Sequence, residues 1–295
     1  MNSQSTSTKA TDAYLIGSPA SVVAISGLRL RLLPILATIG LGLLVVLPSG
    51  YVFVLLTKHR PIQSSMAMPW LAMLANHAVM LVIALALIAW FSRGNFSEYG
   101  LEWPKRRYYV LSALLWGAAF GLLMTIVDYF PQILRHSPPP ENLALTPGSI
   151  GAWLFFEGLY VGPTEEIPFR GLLQTFLMQR ISGRIRFWKY DMHVAGVILA
   201  LLFALAHLIS FWTENFWIAL GQQIYAFTLG ILYAYWREKS GSLLAPIIGH
   251  NVSDGNGVRF DVLDDMGLAL TEQEARRVTA NPEVTLQPGV TQRFR

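Results

Sequence analysis

Apolar residues run along this chain in long unbroken stretches, not in the strict alternation of a strand or the single stripe of a surface helix. Seven segments stand out, near Leu32–Leu56, Met66–Phe91, Tyr108–Val127, Ser149–Gln179, Val194–Phe211, Phe216–Trp236 and Leu243–Val258. The first, second and sixth hold no Asp, Glu, Lys or Arg, and each is long enough to span a hydrocarbon core about 30 Å thick. The fourth is too long for one simple crossing, and Pro163 and Pro168 predict kinks in it, because each removes a backbone donor and crowds the preceding turn. The seventh is short and polar, with His250, Asn251 and Asp254, so it belongs inside a bundle of other helices. Trp70, Trp90, Trp212, Trp217 and Trp236 fall near segment ends, where interfacial aromatic belts form. The pattern predicts an all-α membrane protein: a bundle of about seven transmembrane helices around a buried polar cavity.

Composition sharpens this. The 295 residues are 53% hydrophobic and 14% charged, with a mean hydropathy of +0.44, against about 25% charged residues in an ordinary soluble domain. There is no cysteine, which excludes a disulfide framework, a thiolate nucleophile and a Cys-ligated metal. Residues 1–28 are rich in Ser, Thr and Ala and lack the order of a secretory signal, so they read as a mobile tail. Residues 29–258 form the membrane domain, with a core at about 149–258, and 259–295 are a polar tail of mixed charge. Thr271 and Glu274 have capping-box spacing for one short helix before Pro282.

With a cytoplasmic N-terminus and seven crossings, the inner segments hold Lys9, Arg29, Arg31, Arg93, Lys105, Arg106, Arg107, Arg180, Arg184, Arg186, Lys189, Arg237 and Lys239. The outer loops hold only Lys58, Arg60 and Arg135. That asymmetry follows the positive-inside rule and accounts for the net charge of +4 without a nucleic-acid partner. The partner it predicts is the lipid bilayer of the cytoplasmic membrane. Arg180, Arg184, Arg186 and Lys189 read as a topogenic loop touching anionic lipid.

Within the expected spans the charged residues are Glu157, Glu165, Glu166, Arg170 and Asp254, joined by His207, His250 and His77. Charge at membrane depth costs at least about 2.5–3.5 kcal/mol per residue, so it usually marks a pathway or a site. Helical rise places Glu165 roughly 22 Å from the end at Arg180, and His207 roughly 24 Å from Asp191. His250 and Asp254 lie roughly 12 and 18 Å beyond Ser242. Three helices therefore bring ionisable groups to overlapping depths. Glu166 and Arg170 are i and i+4, as are His250 and Asp254, while Glu165 points about 100° away from Glu166. A carboxylate, two imidazoles and an Asp around one polar pocket suit the activation of water and the steadying of an oxyanion.

Three motifs then carry a resemblance. Glu165-Glu166-Ile-Pro-Phe-Arg170-Gly, Phe203-Ala-Leu-Ala-His207 and His250-Asn-Val-Ser-Asp254 resemble, in order, those of the CPBP intramembrane proteases, a family that includes the CAAX prenyl endopeptidases and bacteriocin-processing or immunity proteins. The resemblance covers roughly Trp153–Gly257, and Pro246-Ile247 fits it too. It implies a peptide or membrane-protein substrate, and that Glu165 is the general base, with His207 close to it and Glu166 and Arg170 in support. It also implies that His250 and position 254 bind the oxyanion. That last position is often Asn in the family and is Asp254 here; a charged Asp has no hydrogen to donate, so it must be protonated or act by orienting His250.

A metal remains the alternative to a cofactor-free site: His207, His250 and Glu165 supply three zinc-type ligands. No His-Glu-x-x-His motif is present, and the glutamate reading is preferred. His77 beside Asn76 reads as an interhelical hydrogen-bonding pair; Glu157 either lines the cavity or pairs within the bundle. His59, His136 and His193 fall at loops or interfaces. Competing functions are a proton- or cation-coupled transporter, which also explains buried charge, and a catalytically silent immunity or scaffold protein of the same fold.

Overall fold

The computed structural model describes residues 22–25, 28–58, 69–135, 147–187, 190–213 and 216–254. The C-terminal tail, His59, His136 and residues 1–21 of the expected N-terminal tail lie outside these. Directly before the first helix, β1 (Val22–Ile25) pairs antiparallel with β2 (Leu28–Arg31).

The first two long helices are α1 (Leu32–Lys58) and α2 (Pro69–Ser92), and they pack side by side. A 3-10 turn at Phe96–Tyr99 leads toward α3 (Tyr108–Arg135). The fourth segment is one continuous helix, α4 (147–178), whose path switches twice from α to π geometry, over Phe156–Tyr160 and over Ile167–Gln174. A hairpin of β3 (Arg184–Phe187) and β4 (Tyr190–His193) follows, then α5 (Val194–Ala206). The chain returns through α6 (Phe216–Ser240) and ends its described part in α7 (244–254).

Among the described residues, five stretches are long and apolar enough to cross a membrane: Leu32–Thr57, Leu71–Ser92, Tyr108–Val127, Val194–Trp212 and Phe216–Ser240. Their outward faces are apolar. Leu33, Leu47, Val82 and Leu115 are each more than 60% exposed, which water would penalise and lipid tails accept. The expected fourth and seventh segments are the inner ones. Every residue from Glu166 to Leu177 is buried, because α1, α2, α5 and α6 surround this half of α4. Val45, Ile88, Leu172, Leu177, Leu199 and Phe203 close the core around it.

Small residues let these helices approach. A Cβ on Gly230 of α6 would lie 3.0 Å from the Cα of Ala200 in α5, a spacing only glycine allows. Gly162 does the same for α7, since a Cβ there would meet the Ile247 carbonyl at 2.7 Å. The expected proline kinks appear as the π turns of α4. Pro163 has no N–H for the Leu159 carbonyl that an α-helix would pair with it. Asn251 of α7 takes up the slack: its Oδ1 accepts from Gly162 N at 2.7 Å, and its Nδ2 reaches the Leu159 carbonyl at 3.4 Å. The interruption that prolines force on α4 is therefore the place where α7 is docked.

Candidate active site

Four helices meet where α4 leaves its first π turn. α4 carries Glu165 and Glu166 as neighbours, and their roughly 100° separation sends them into different surroundings. Glu166 is fully buried. Its Oε1 accepts from Arg170 Nη1 at 3.0 Å, one turn on, and from His250 Nδ1 at 2.8 Å. Arg170 is equally buried. Its Nε and Nη2 find no hydrogen-bond partner among the described residues, and the guanidinium instead lies 4.2 Å over the Phe203 ring and 5.3 Å over Tyr233. The pair expected from i, i+4 spacing is present.

Glu165 differs. Its side chain keeps 19% exposure, and among the described residues it makes no hydrogen bond. Its two oxygens face two histidines: Oε2 is 3.7 Å from His250 Nε2, and Oε1 is 4.0 Å from His77 Nε2. His250 is thus flanked on both sides, by Glu166 at Nδ1 and by Asp254 Oδ2, 3.2 Å away, at Nε2. Tyr233 stacks on its ring with centroids 5.3 Å apart. Ser253 ties α7 down at this level, bonding to the His250 carbonyl, to Asp254 Oδ1 and to the Tyr233 hydroxyl.

His207 is placed otherwise. It ends α5, where its Nδ1 donates to the Phe203 carbonyl at 2.9 Å and its ring stands edge-on to Phe203. It forms no ion pair with Glu165 or any other carboxylate among the described residues; Phe203 stands between it and His250, with centroids 5.0 and 6.3 Å away. Among the described residues no three His, Asp or Glu side chains are disposed to hold a metal ion. The set His207, His250 and Glu165 is not gathered at one point.

His77 belongs to the site, as its type alone did not reveal. It makes the interhelical hydrogen bond expected of it, Nδ1 to Thr164 Oγ1 at 2.9 Å, and from there faces Glu165. Phe156 and Tyr160 of α4 wall its ring. Glu157 lies two turns before Glu165 on the same helix and is half-buried. A histidine beside Asn76 on a helix without any Asp, Glu, Lys or Arg was the signal for His77, and only the packing of α2 on α4 gave it a partner.

Comparison with known proteins agrees with the motifs. No curated protein and no solved structure matches the chain. One family does, at residues 147–255, which run from the start of α4 through α7 and contain Glu165, Glu166, Arg170, His207, His250 and Asp254. This supports a CAAX-type intramembrane protease at the level of the family. Residues 147–255 match the family model described as Type II CAAX prenyl endopeptidase Rce1-like, so this stretch of the chain is similar to that family, consistent with the CPBP resemblance of its motifs.

Proposed function

We propose that this protein is an intramembrane endopeptidase that hydrolyses a peptide bond of a membrane-associated protein or peptide, using water activated by Glu165. The observation that carries this reading is the inequality of the two neighbouring carboxylates. Glu166 is sealed and doubly engaged by Arg170 and His250, whereas Glu165 is partly exposed and has no hydrogen bond among the described residues. A base must hold an accessible lone pair, and Glu165 is the carboxylate that has one.

In this mechanism Glu165 takes a proton from water as the oxygen adds to the scissile carbonyl. The oxyanion is met by the Nε2–H of a doubly protonated His250, whose Nδ1–H stays on Glu166, and Glu165 returns the proton to the leaving amine. Asp254 acts by orienting His250, since its Oδ2 is 3.2 Å from Nε2 and an ionised Asp has only acceptors. Glu166 holds the opposite ring nitrogen, so the imidazole is gripped at both ends. His207 keeps its Nδ1–H on the Phe203 carbonyl, which leaves Nε2 to relay protons at the cavity edge.

The test compares membrane and secreted peptides from cells lacking the protein, complemented with wild type or with Glu165→Gln at matched levels. New peptide termini are expected with wild type alone, because removing a general base typically costs ~10²–10⁴-fold in rate. Identical peptides from both strains refute the catalytic assignment and leave the silent or transporter function in its place.

A further inference from the structure

The hydrogen-bond directions around His77 determine which of its nitrogens bears the proton. Thr164 Oγ1 lies 2.8 Å from the Tyr160 carbonyl and 2.9 Å from the Val161 carbonyl. Carbonyls only accept, so the single hydroxyl hydrogen is spent on them. The third neighbour of Oγ1, His77 Nδ1 at 2.9 Å, must then donate. A neutral His77 is therefore the Nδ1–H tautomer, and its Nε2 presents a bare lone pair. That lone pair is the atom that faces Glu165 Oε1 at 4.0 Å.

Two acceptors at this separation do not bond to each other. They do match one water that donates both of its hydrogens, since contacts of about 2.8 Å on either side of a bent water span roughly 4–4.5 Å. We propose that His77 is a further catalytic residue: with Glu165 Oε1 it holds the attacking water by both hydrogens, so that the water's lone pairs are turned away from both acceptors and toward the scissile carbonyl. This rests on the proposed base role of Glu165 and adds to it a second acceptor and a choice of oxygen. Oε1, paired with the acceptor His77, receives the proton. Oε2, 3.7 Å from the donor His250 Nε2, stays charged beside the oxyanion-binding group. The burial of His77, 9% exposed between Phe156 and Tyr160, keeps its ring from turning away. Thr164 is the positioning residue that fixes the tautomer.

Two substitutions separate this role from a structural one. His77→Asn keeps an amide donor where Nδ1 meets Thr164 and has nothing at the position of Nε2. His77→Gln places an acceptor oxygen near Nε2 and lacks the donor at Nδ1. Turnover of a quenched farnesylated CAAX-type peptide in detergent is the kinetic probe. A kcat loss of about 10–100-fold with KM within about twofold is expected for H77N, and a smaller loss for H77Q. The reverse order, with H77N near wild type, means that only the Thr164 bond matters and overturns the proposal. The second measurement needs no turnover: ¹⁵N-histidine NMR of the whole protein in detergent, with the His77 resonance assigned by its loss in H77N. An Nδ1–H tautomer is expected, and Thr164→Val is expected to erode it. An Nε2–H tautomer at His77 overturns the proposal whether or not the peptide is cleaved. Absence of cleavage by wild type, together with the Nδ1–H tautomer, counts against the Glu165 reading and leaves the acceptor geometry standing.

Discussion

At the scale of single residues, the site turns on what each charge has around it. Glu166 and Arg170 are fully buried and 3.0 Å apart. Removing one partner of such a pair leaves an uncompensated buried charge, which costs about 3–5 kcal/mol. Arg170→Met is therefore expected to lower the melting temperature of the purified protein in detergent sharply, and the double variant with Glu166→Gln to recover much of the loss. If the single and double variants melt alike, the pair is not the source of the stability. The same residue-level comparison explains Asp254. Beside His250 Nε2 its carboxylate is an acceptor for an imidazole, so the departure from the family's usual Asn fits a role in aiming His250.

At the scale of elements, the prolines of α4 and the cap of α5 show how local chain chemistry places the site. The π turns of α4 leave backbone groups that Asn251 satisfies, and this docks α7 with His250 against Glu166. α5 begins at His193, whose Nδ1 accepts from Ala195 N at 3.1 Å as an N-cap, while its backbone N–H is held by Glu238 at 2.7 Å. Burial lowers the pKa of His193 below its ordinary value of about 6.5, with Glu238 opposing in part. A lowered folded-state pKa means that the cap's stability is present above about pH 6.5 and is lost as pH falls through the folded value, because a protonated Nδ1 no longer accepts. Protection of the Ala195 amide against hydrogen exchange should thus fall between pH 7.5 and 5.5, by about the 1 kcal/mol typical of a cap. His193→Asn should make it independent of pH over this range. Asp191 persists further: Lys239 and Arg184 hold its carboxyl below the usual carboxylate range, so the hairpin's ion pairs are kept to a lower pH than an ordinary Asp would hold them.

At the scale of the whole molecule, one end of the bundle is polar and cross-linked. Lys105 N donates to the Ser240 carbonyl, Leu243 N to the Gly100 carbonyl and Ser242 Oγ to the Glu102 carbonyl, joining the loop before α3 to the turn after α6. Arg184 bonds to Asp191 and to Glu238, each at 2.6 Å, tying the β3–β4 hairpin to the same end of α6. Arg93, Lys105, Arg106, Arg107, Arg180, Arg184, Arg186, Arg237 and Lys239 lie on the segments at and beside this end. By the positive-inside rule we propose that this end is cytoplasmic. The chain has no cysteine of its own, so single thiols report cleanly. Trp103→Cys and Ser182→Cys are expected to react with an impermeant maleimide only in inverted vesicles, and Leu134→Cys, near the far end of α3, only in right-side-out cells. The opposite pattern reverses the orientation.

Much of this was legible in the chain itself, because hydrophobic length and intramembrane charge are local properties. The apolar runs specified the membrane class and marked about seven segments, of which five are, among the described residues, helices long and apolar enough to cross a membrane. The i, i+4 spacings announced Glu166 with Arg170 and His250 with Asp254, and the prolines marked α4 as irregular. What the spacing left open was direction: that Glu165 looks into the cavity while Glu166 is sealed, that His207 rests on Phe203 apart from the carboxylates, and that the irregularity in α4 takes π form and receives Asn251. His77 needed still more, since its partner is 87 residues away on another helix. A periodicity states which residues share a helix face; only packing the helices against one another decides what that face meets, and the hydrogen-bond partners, tautomers and charges of this site all follow from those meetings.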